Sequence, residues 1–264
     1  LEQYYTVVNW EQPGVGKSYD AVDIASLTPE RYLSDALTLT QYLQDRFTQE
    51  KIYILGDSWG SILGIWMVQQ QPDWYHAFIS SGQMVNTVET DIIGYECARE
   101  FLRERGDLNT LKDIEANGPP PYVGDGLTMR YFSFLNVLNA YMYSHADGDG
   151  ESHNQLFDTF FAPEYGLIDK VNWVRGLFDV FAVVYPQLSD VELREQANQL
   201  DVPIYFVKGR WDVNAATTLT EDYYDILEAP HKELTWFEDS GHTPLYEEAR
   251  RFVQVMADIA SQTQ

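Results

Sequence analysis

The sequence predicts an α/β fold: a mostly parallel central sheet flanked by helices, with a helical insert between its two halves. Three observations predict it. Short apolar runs alternate with helical patterns over residues 1–85. From about residue 86 to residue 200 the pattern is helical alone. Over residues 201–264 the alternation returns. Alternation of this kind marks a parallel sheet with helical crossovers, because parallel neighbours need a long connection. The expected division is a core from residues 1–85 and 201–264, with residues 86–200 as a helical cap.

Tyr4 to Trp10 is rich in β-branched and aromatic residues and predicts a strand. A turn-rich loop follows, Glu11 to Ser18. Thr28-Pro29 reads as an N-cap and a first-turn proline. Leu33, Leu37, Thr40, Leu43 and Phe47 then lie near one helical face. Lys51 to Leu55 predicts a second strand, and Ser61 to Gln71 a helix apolar nearly all round, hence buried, which Pro72 ends. His76 to Ser80 predicts a third strand. The insert holds helical stretches at Thr87 to Arg105, Met129 to Tyr143, Val171 to Val184 and Asp190 to Gln199. It is dense in aromatics, among them Tyr131, Phe132, Phe134, Tyr141, Tyr143, Phe157, Phe160 and Phe161. Strands at Val202 to Val207 and Glu233 to Phe237 alternate with helices at Thr218 to Leu227 and Leu245 to Ala260.

Composition excludes several function classes. The net charge is −24, from 41 acidic and 17 basic residues. Such a surface repels nucleic acid and anionic membranes, so neither is expected as a partner. No stretch approaches the roughly 18–20 apolar residues that span a bilayer. The first nine residues lack a basic region and a long apolar run, so they do not read as a signal peptide. Cys97 is the single cysteine; it can form no internal disulfide or zinc cluster and is expected as a small buried or half-buried apolar group. A cytoplasmic protein without metal or organic cofactor is the expectation.

The chemistry centres on Gly56-Asp57-Ser58-Trp59-Gly60, a G-x-S-x-G pattern between an expected strand and an expected helix. A serine on so sharp a turn needs small neighbours, which Gly56 and Gly60 supply. The N–H of Trp59, at the helix start, can face a developing oxyanion. A serine hydroxyl needs a base. Of the five histidines, His76, His145, His153 and His231 read as surface or structural. His242 follows the last strand at the same carboxyl edge as Ser58, where α/β sheets gather ligand-binding residues. Asp212 follows the strand Val202 to Val207 at that edge too. It would fix the imidazole tautomer and stabilise the imidazolium. The order Ser58, Asp212, His242 is that of nucleophile-elbow hydrolases.

With these residues in view the chain resembles the α/β-hydrolase superfamily, and within it the proline iminopeptidase-like, S33-type branch of serine peptidases. The segments that carry the resemblance are Gly56 to Ser61, Glu11 to Ser18, Val202 to Asp212, and Glu233 to His242 with Pro244, Glu247 and Glu248. The branch shows Asp-Gln-Arg-Gly-x-Gly-x-Ser at the second of these; here Glu11 replaces the Asp and Pro13 the Arg. The resemblance also implies a His-Gly-Gly-Pro-Gly-like loop before Tyr4 to Trp10, supplying a second oxyanion donor. No histidine here is followed by glycine, so the first strands and that loop are expected to be missing from residues 1–264. Relatives grip a substrate amine with cap carboxylates. Glu89, Asp91, Glu96 and Glu100 lie in the cap but read as a solvated helix face.

Two other motifs fail on inspection. Pro13 to Ser18 imitates a phosphate-binding loop, but that motif needs glycine where Glu11 stands. Asp147 to Ser152 faintly imitates a calcium loop, but its sixth position is Ser152, not glycine. The expected function is an acyl-enzyme serine hydrolase on small peptide or acyl substrates, foremost an aminopeptidase releasing an N-terminal residue. An esterase on the same machinery is the alternative, and a non-catalytic ligand-binding protein of this fold the second.

Overall fold

The computed structural model describes residues 1–146 and 162–263. Four strands, β1 (Ile52–Asp57), β2 (Tyr75–Ser81), β3 (Ile204–Gly209) and β4 (Lys232–Phe237), form one parallel sheet in that order. All four were legible to within two residues at each end. Side chains alternate between the two faces, as the period of a strand requires. Phe78, Ile204 and Phe206 join one core with α1 (Pro29–Phe47) and α2 (Trp59–Gln70). Ala77, Ile79, Tyr205 and Val207 face the other way.

α1 begins as expected: Thr28 Oγ1 accepts from the Arg31 N–H at 3.2 Å, with Pro29 in the first turn. α2 is buried on nearly every side because it lies between the sheet and α1, and it stops just before Pro72. Between β2 and β3 come α3 (Thr87–Arg105), α4 (Leu108–Asn117), α5 (Leu127–His145), α6 (Leu167–Val184) and the one-turn α7 (Leu193–Gln196). Helices α3 to α5 carry their own apolar cluster, with Tyr95, Leu111, Tyr131 and Phe134 buried in it. After β3 comes α8 (Thr217–Ile226), which packs on the first core through Leu219 and Tyr223. After β4 come α9 (Pro244–Glu247) and α10 (Ala249–Thr263), whose Phe252, Met256 and Ile259 cover the second face. No helix among the described residues is long and apolar enough to cross a membrane.

The structure departs from expectation at four places. Tyr4 to Trp10 forms no strand, because an extended segment becomes one only with a hydrogen-bonded neighbour. Among the described residues β1 pairs with β2 alone, and a cleft of about 940 Å³ separates its other edge from residues 4–10. Val7 and Val8 are left 40% and 45% exposed. The helix expected over Asp190 to Gln199 shrinks to one turn, since Gln199 leaves it to bridge Glu228. α4 was not anticipated; its signal is Gly106 in a left-handed stop followed by Asp107, whose carboxylate accepts from the Thr110 N–H at 3.1 Å. The last helix is broken at Glu248, which turns back to accept from Ser240 Oγ at 2.7 Å. Of the insert's aromatics, Phe157, Phe160 and Phe161 lie outside the described residues, as do His153 and the calcium-like loop.

Gly64 in α2 marks a tight helix–sheet contact: a Cβ there would strike the ring of Phe78, itself fully buried. Alanine normally strengthens a helix interior by about 1 kcal/mol over glycine. Here overpacking reverses the sign. Gly64→Ala is expected to lower unfolding stability by about 1–3 kcal/mol in urea titrations, and adding Phe78→Leu should recover part of the loss. A stabilised Gly64→Ala protein would show that α2 has room to move.

Candidate active site

β1 ends in a turn so sharp that Ser58 sits at φ 54° and ψ −119°. A side chain other than glycine rarely holds a positive φ, and such strain accumulates at functional sites. The turn is held from two sides. The Ser58 N–H donates to Ser81 O at 3.0 Å, and the Ser61 hydroxyl donates to Ser58 O at 2.6 Å. Gly56 is needed, because a Cβ there would strike the carbonyl of Gly60. Gly60 differs from expectation: a Cβ on it would meet nothing within 4 Å, since Gly60 lines the cleft beside β1. The Trp59 N–H opens α2, where first-turn amides have no intrahelical partner. The Trp59 indole donates to Gln12 Oε1 at 3.2 Å.

His242 arrives from the loop after β4. Gly241 N donates to Glu247 Oε2 at 2.8 Å, and Ser240 and Asp239 are both held by Glu248. Two glycines the sequence did not flag let this loop close down. A Cβ on Gly209 would strike the Gly241 carbonyl, and one on Gly82, at φ 57°, would lie 3.1 Å from His242 Cε1. His242 Nε2 stands 2.8 Å from Ser58 Oγ, and Nδ1 stands 3.0 Å from Asp212 Oδ1. A carboxylate only accepts, so Nδ1 carries the proton and Nε2 is left to accept from the serine hydroxyl.

Asp212 is 1% exposed. Its Oδ1 also accepts from the N–H groups of Asn214 and Ala215 at 2.9 and 3.0 Å. Its Oδ2 accepts from Lys208 Nζ at 2.7 Å. Burial pushes its pKa up, but His242, Lys208 and their hydrogen bonds outweigh burial and hold it at about 2. For His242 burial pulls the pKa down and Asp212 outweighs it, so the net shift is upward. Burial raises the Asp57 carboxyl, which accepts from the Ser81 hydroxyl at 2.7 Å.

The structure thus brings Ser58, His242 and Asp212 into one hydrogen-bonded line and leaves the other described histidines apart from it. His76 lies within β2, His145 ends α5 and stacks on Trp211, and His231 precedes β4. Helices of the insert reach this edge: Asn214 Nδ2 donates to Asn139 Oδ1 of α5 at 3.4 Å, and a Cβ on Gly241 would lie 3.0 Å from Met142. Asp91 does not lie on a solvated face. It is buried, accepts from the hydroxyls of Tyr131 and Tyr185 at 2.6 and 2.8 Å, and burial lifts its pKa to about 6. Glu96 and Glu100 are exposed as expected, and Glu89 pairs with Arg194 at 2.5 Å. Glu11 accepts from the Tyr165 hydroxyl and from the Lys17 N–H, the latter at 2.9 Å, so the loop is spent on internal contacts. Among the described residues no group of three or more His, Cys, Asp or Glu is placed to hold a metal ion.

The family described as "Serine aminopeptidase, S33" matches over residues 1–106. The chain is 30% identical over 258 residues to the "Probable aminopeptidase YbaC" of Bacillus subtilis (strain 168), covering 97% of this chain and 80% of that protein. It is 24% identical over 263 residues to the "Probable proline iminopeptidase" of Leptolyngbya boryana, covering 91% of this chain and 75% of that protein. Among solved structures, proline iminopeptidase from Mycobacterium smegmatis superposes with a TM-score of 0.62 at 16% identity, over 95% of this chain and 77% of that one. The chain belongs to the α/β-hydrolase superfamily, in its S33 serine aminopeptidase branch.

Proposed function

We propose that the protein is a serine aminopeptidase that releases an N-terminal residue, proline or another small apolar one, through an acyl-enzyme. The observation that carries this reading is the line from Ser58 Oγ through His242 to the buried Asp212, at 2.8 and 3.0 Å. Membership of the S33 branch and the names of its relatives favour peptides over other acyl substrates.

In this mechanism His242 Nε2 takes the Ser58 proton as Oγ bonds to the substrate carbonyl carbon. The carbonyl oxygen becomes an oxyanion facing the Trp59 N–H. The C–N bond then breaks, and His242 returns the proton to the leaving amine. Water repeats the sequence on the acyl-enzyme: it gives a proton to His242, bonds to the acyl carbon, and Ser58 leaves with that proton. Asp212 stays ionised and stabilises the imidazolium in both halves.

Residues 86–200 act in this reading as a cap, and residues 1–85 and 201–264 as the core. The support is that α5 touches the Asp212 and His242 loops through Asn139 and Met142. The cleft beside β1 borders Gly56, Asp57, Trp59 and Gly60 but none of Ser58, His242 and Asp212, so it is not the substrate pocket.

Three outcomes are expected. Turnover of Pro-p-nitroanilide should exceed that of p-nitrophenyl acetate in kcat/KM and vanish in Ser58→Ala; ester turnover alone would make the protein an esterase, and turnover of neither a binding protein. Asp212→Asn should lower kcat by about 10³–10⁴-fold. In the wild type, kcat/KM should rise with pH through a midpoint above 6.5, because Asp212 raises the His242 pKa from that value; a midpoint below it would place a different base in the reaction.

A further inference from the structure

One charged group beneath the site has no part in the mechanism above. Lys208 lies on β3, two residues after Phe206 and therefore on the same face of the sheet. It is 0% exposed. Its ammonium donates to Asp212 Oδ2 at 2.7 Å and to the carbonyl of Ala215, just before α8. Burying a lysine costs several kcal/mol. The Asn214 and Ala215 amides hold only Oδ1 of Asp212, and Lys208 holds Oδ2.

The geometry of the carboxylate shows what the lysine adds. Oδ1 is shared by two amides and by His242 Nδ1, whereas Oδ2 faces Lys208. The charged and titratable groups around His242 come from each element packed there: Asp57 from β1, Lys208 from β3, Asp212 from the turn after it and Glu247 from α9. Lys208 is the one cation in this set other than the imidazolium itself. Its charge opposes protonation of His242, and the carboxylates favour it.

We propose that Lys208 is a positioning residue for the site: it pins Asp212 through Oδ2 so that Oδ1 faces His242 Nδ1, and its charge offsets part of the pull of Asp212 on a proton at His242. The chain thereby keeps an ionised orienting carboxylate, with one cation beside the pair that opposes protonation of His242. The lysine touches neither Ser58 nor substrate and acts only through its two neighbours. This proposal rests on the serine hydrolase reading, so its test must separate the two.

The test is the second-order rate of Ser58 labelling by a fluorophosphonate, measured against pH, which requires no knowledge of the substrate. Wild type that does not label overturns the hydrolase reading itself. If wild type labels, Lys208→Met should lower the plateau rate about tenfold and move the midpoint of the acid limb up by about 0.5–1 pH unit, since removing a nearby cation eases protonation of His242. Lys208→Gln keeps a donor but no charge; it should show the same midpoint shift with a plateau nearer to wild type. A purely structural lysine would lower the plateau and leave the midpoint in place, and that result overturns the proposal. Should Lys208→Met not fold, Lys208→Met/Asp212→Asn removes both charges together, which buried pairs tolerate better than loss of one. Its plateau should lie within about twofold of Asp212→Asn alone, because Lys208 acts through Asp212; a further tenfold loss overturns the proposal.

Discussion

The parallel alignment of four strands is the constraint from which the rest of the structure follows. Parallel pairing puts every carboxyl end at one edge. The register is tight there: Asp57 lies opposite Ser81, Ser81 opposite Val207, and Gly209 opposite Phe237. The three residues of the hydrogen-bonded line each follow one of these ends. Ser58 is the next residue after β1, Asp212 comes three after β3, and His242 five after β4. Side chains separated by up to 184 positions in sequence therefore meet at 2.8 Å. None of the connecting helices has to be placed accurately for this to happen, provided the strands are.

Convergence brings polar groups together under a low-dielectric roof, where each must be paired. The site meets that demand with short local devices. Ser61 bonds the carbonyl of Ser58, Glu248 turns out of its helix to hold Ser240, and Lys208 faces Asp212. Broken helix geometry at Glu248 thus serves the loop that carries His242. Backbone carbonyls of the same loop pass so close to β3 that only glycine fits at position 209.

Much of this was readable from the residues. Gly-Asp-Ser-Trp-Gly between a strand and a helix fixes where a nucleophile would stand, and the strand ends before Asp212 and His242 locate their partners. The four strands were visible because each is a short apolar run bounded by turn residues. What the sequence hid depends on partners distant along the chain. Tyr4 to Trp10 has strand composition, but the hydrogen bonds that make a strand belong to a neighbour it lacks here. Asp91 reads as one more surface carboxylate of an acidic helix, and only the hydroxyls of Tyr131 and Tyr185 show that it faces inward. Lys208 reads as a strand-end lysine, and its burial is visible only once Asp212 and α8 fold over it.

The placement of the helical insert has a consequence for synthesis. β1 and β2 are close in sequence, but roughly 120 residues separate the end of β2 from the start of β3. Loop-closure entropy makes that pairing about 2 kcal/mol harder to form than the first. At ribosomal speeds β2 would emerge roughly 6–26 s before β3, which covers its open edge. For that interval Phe78 and Ile79, both fully buried in the finished sheet, would stand on a half-built edge. A nascent chain stalled within the insert would present the Ser58 elbow complete with apolar strands but without Asp212 and His242, a species for chaperones or proteases to handle.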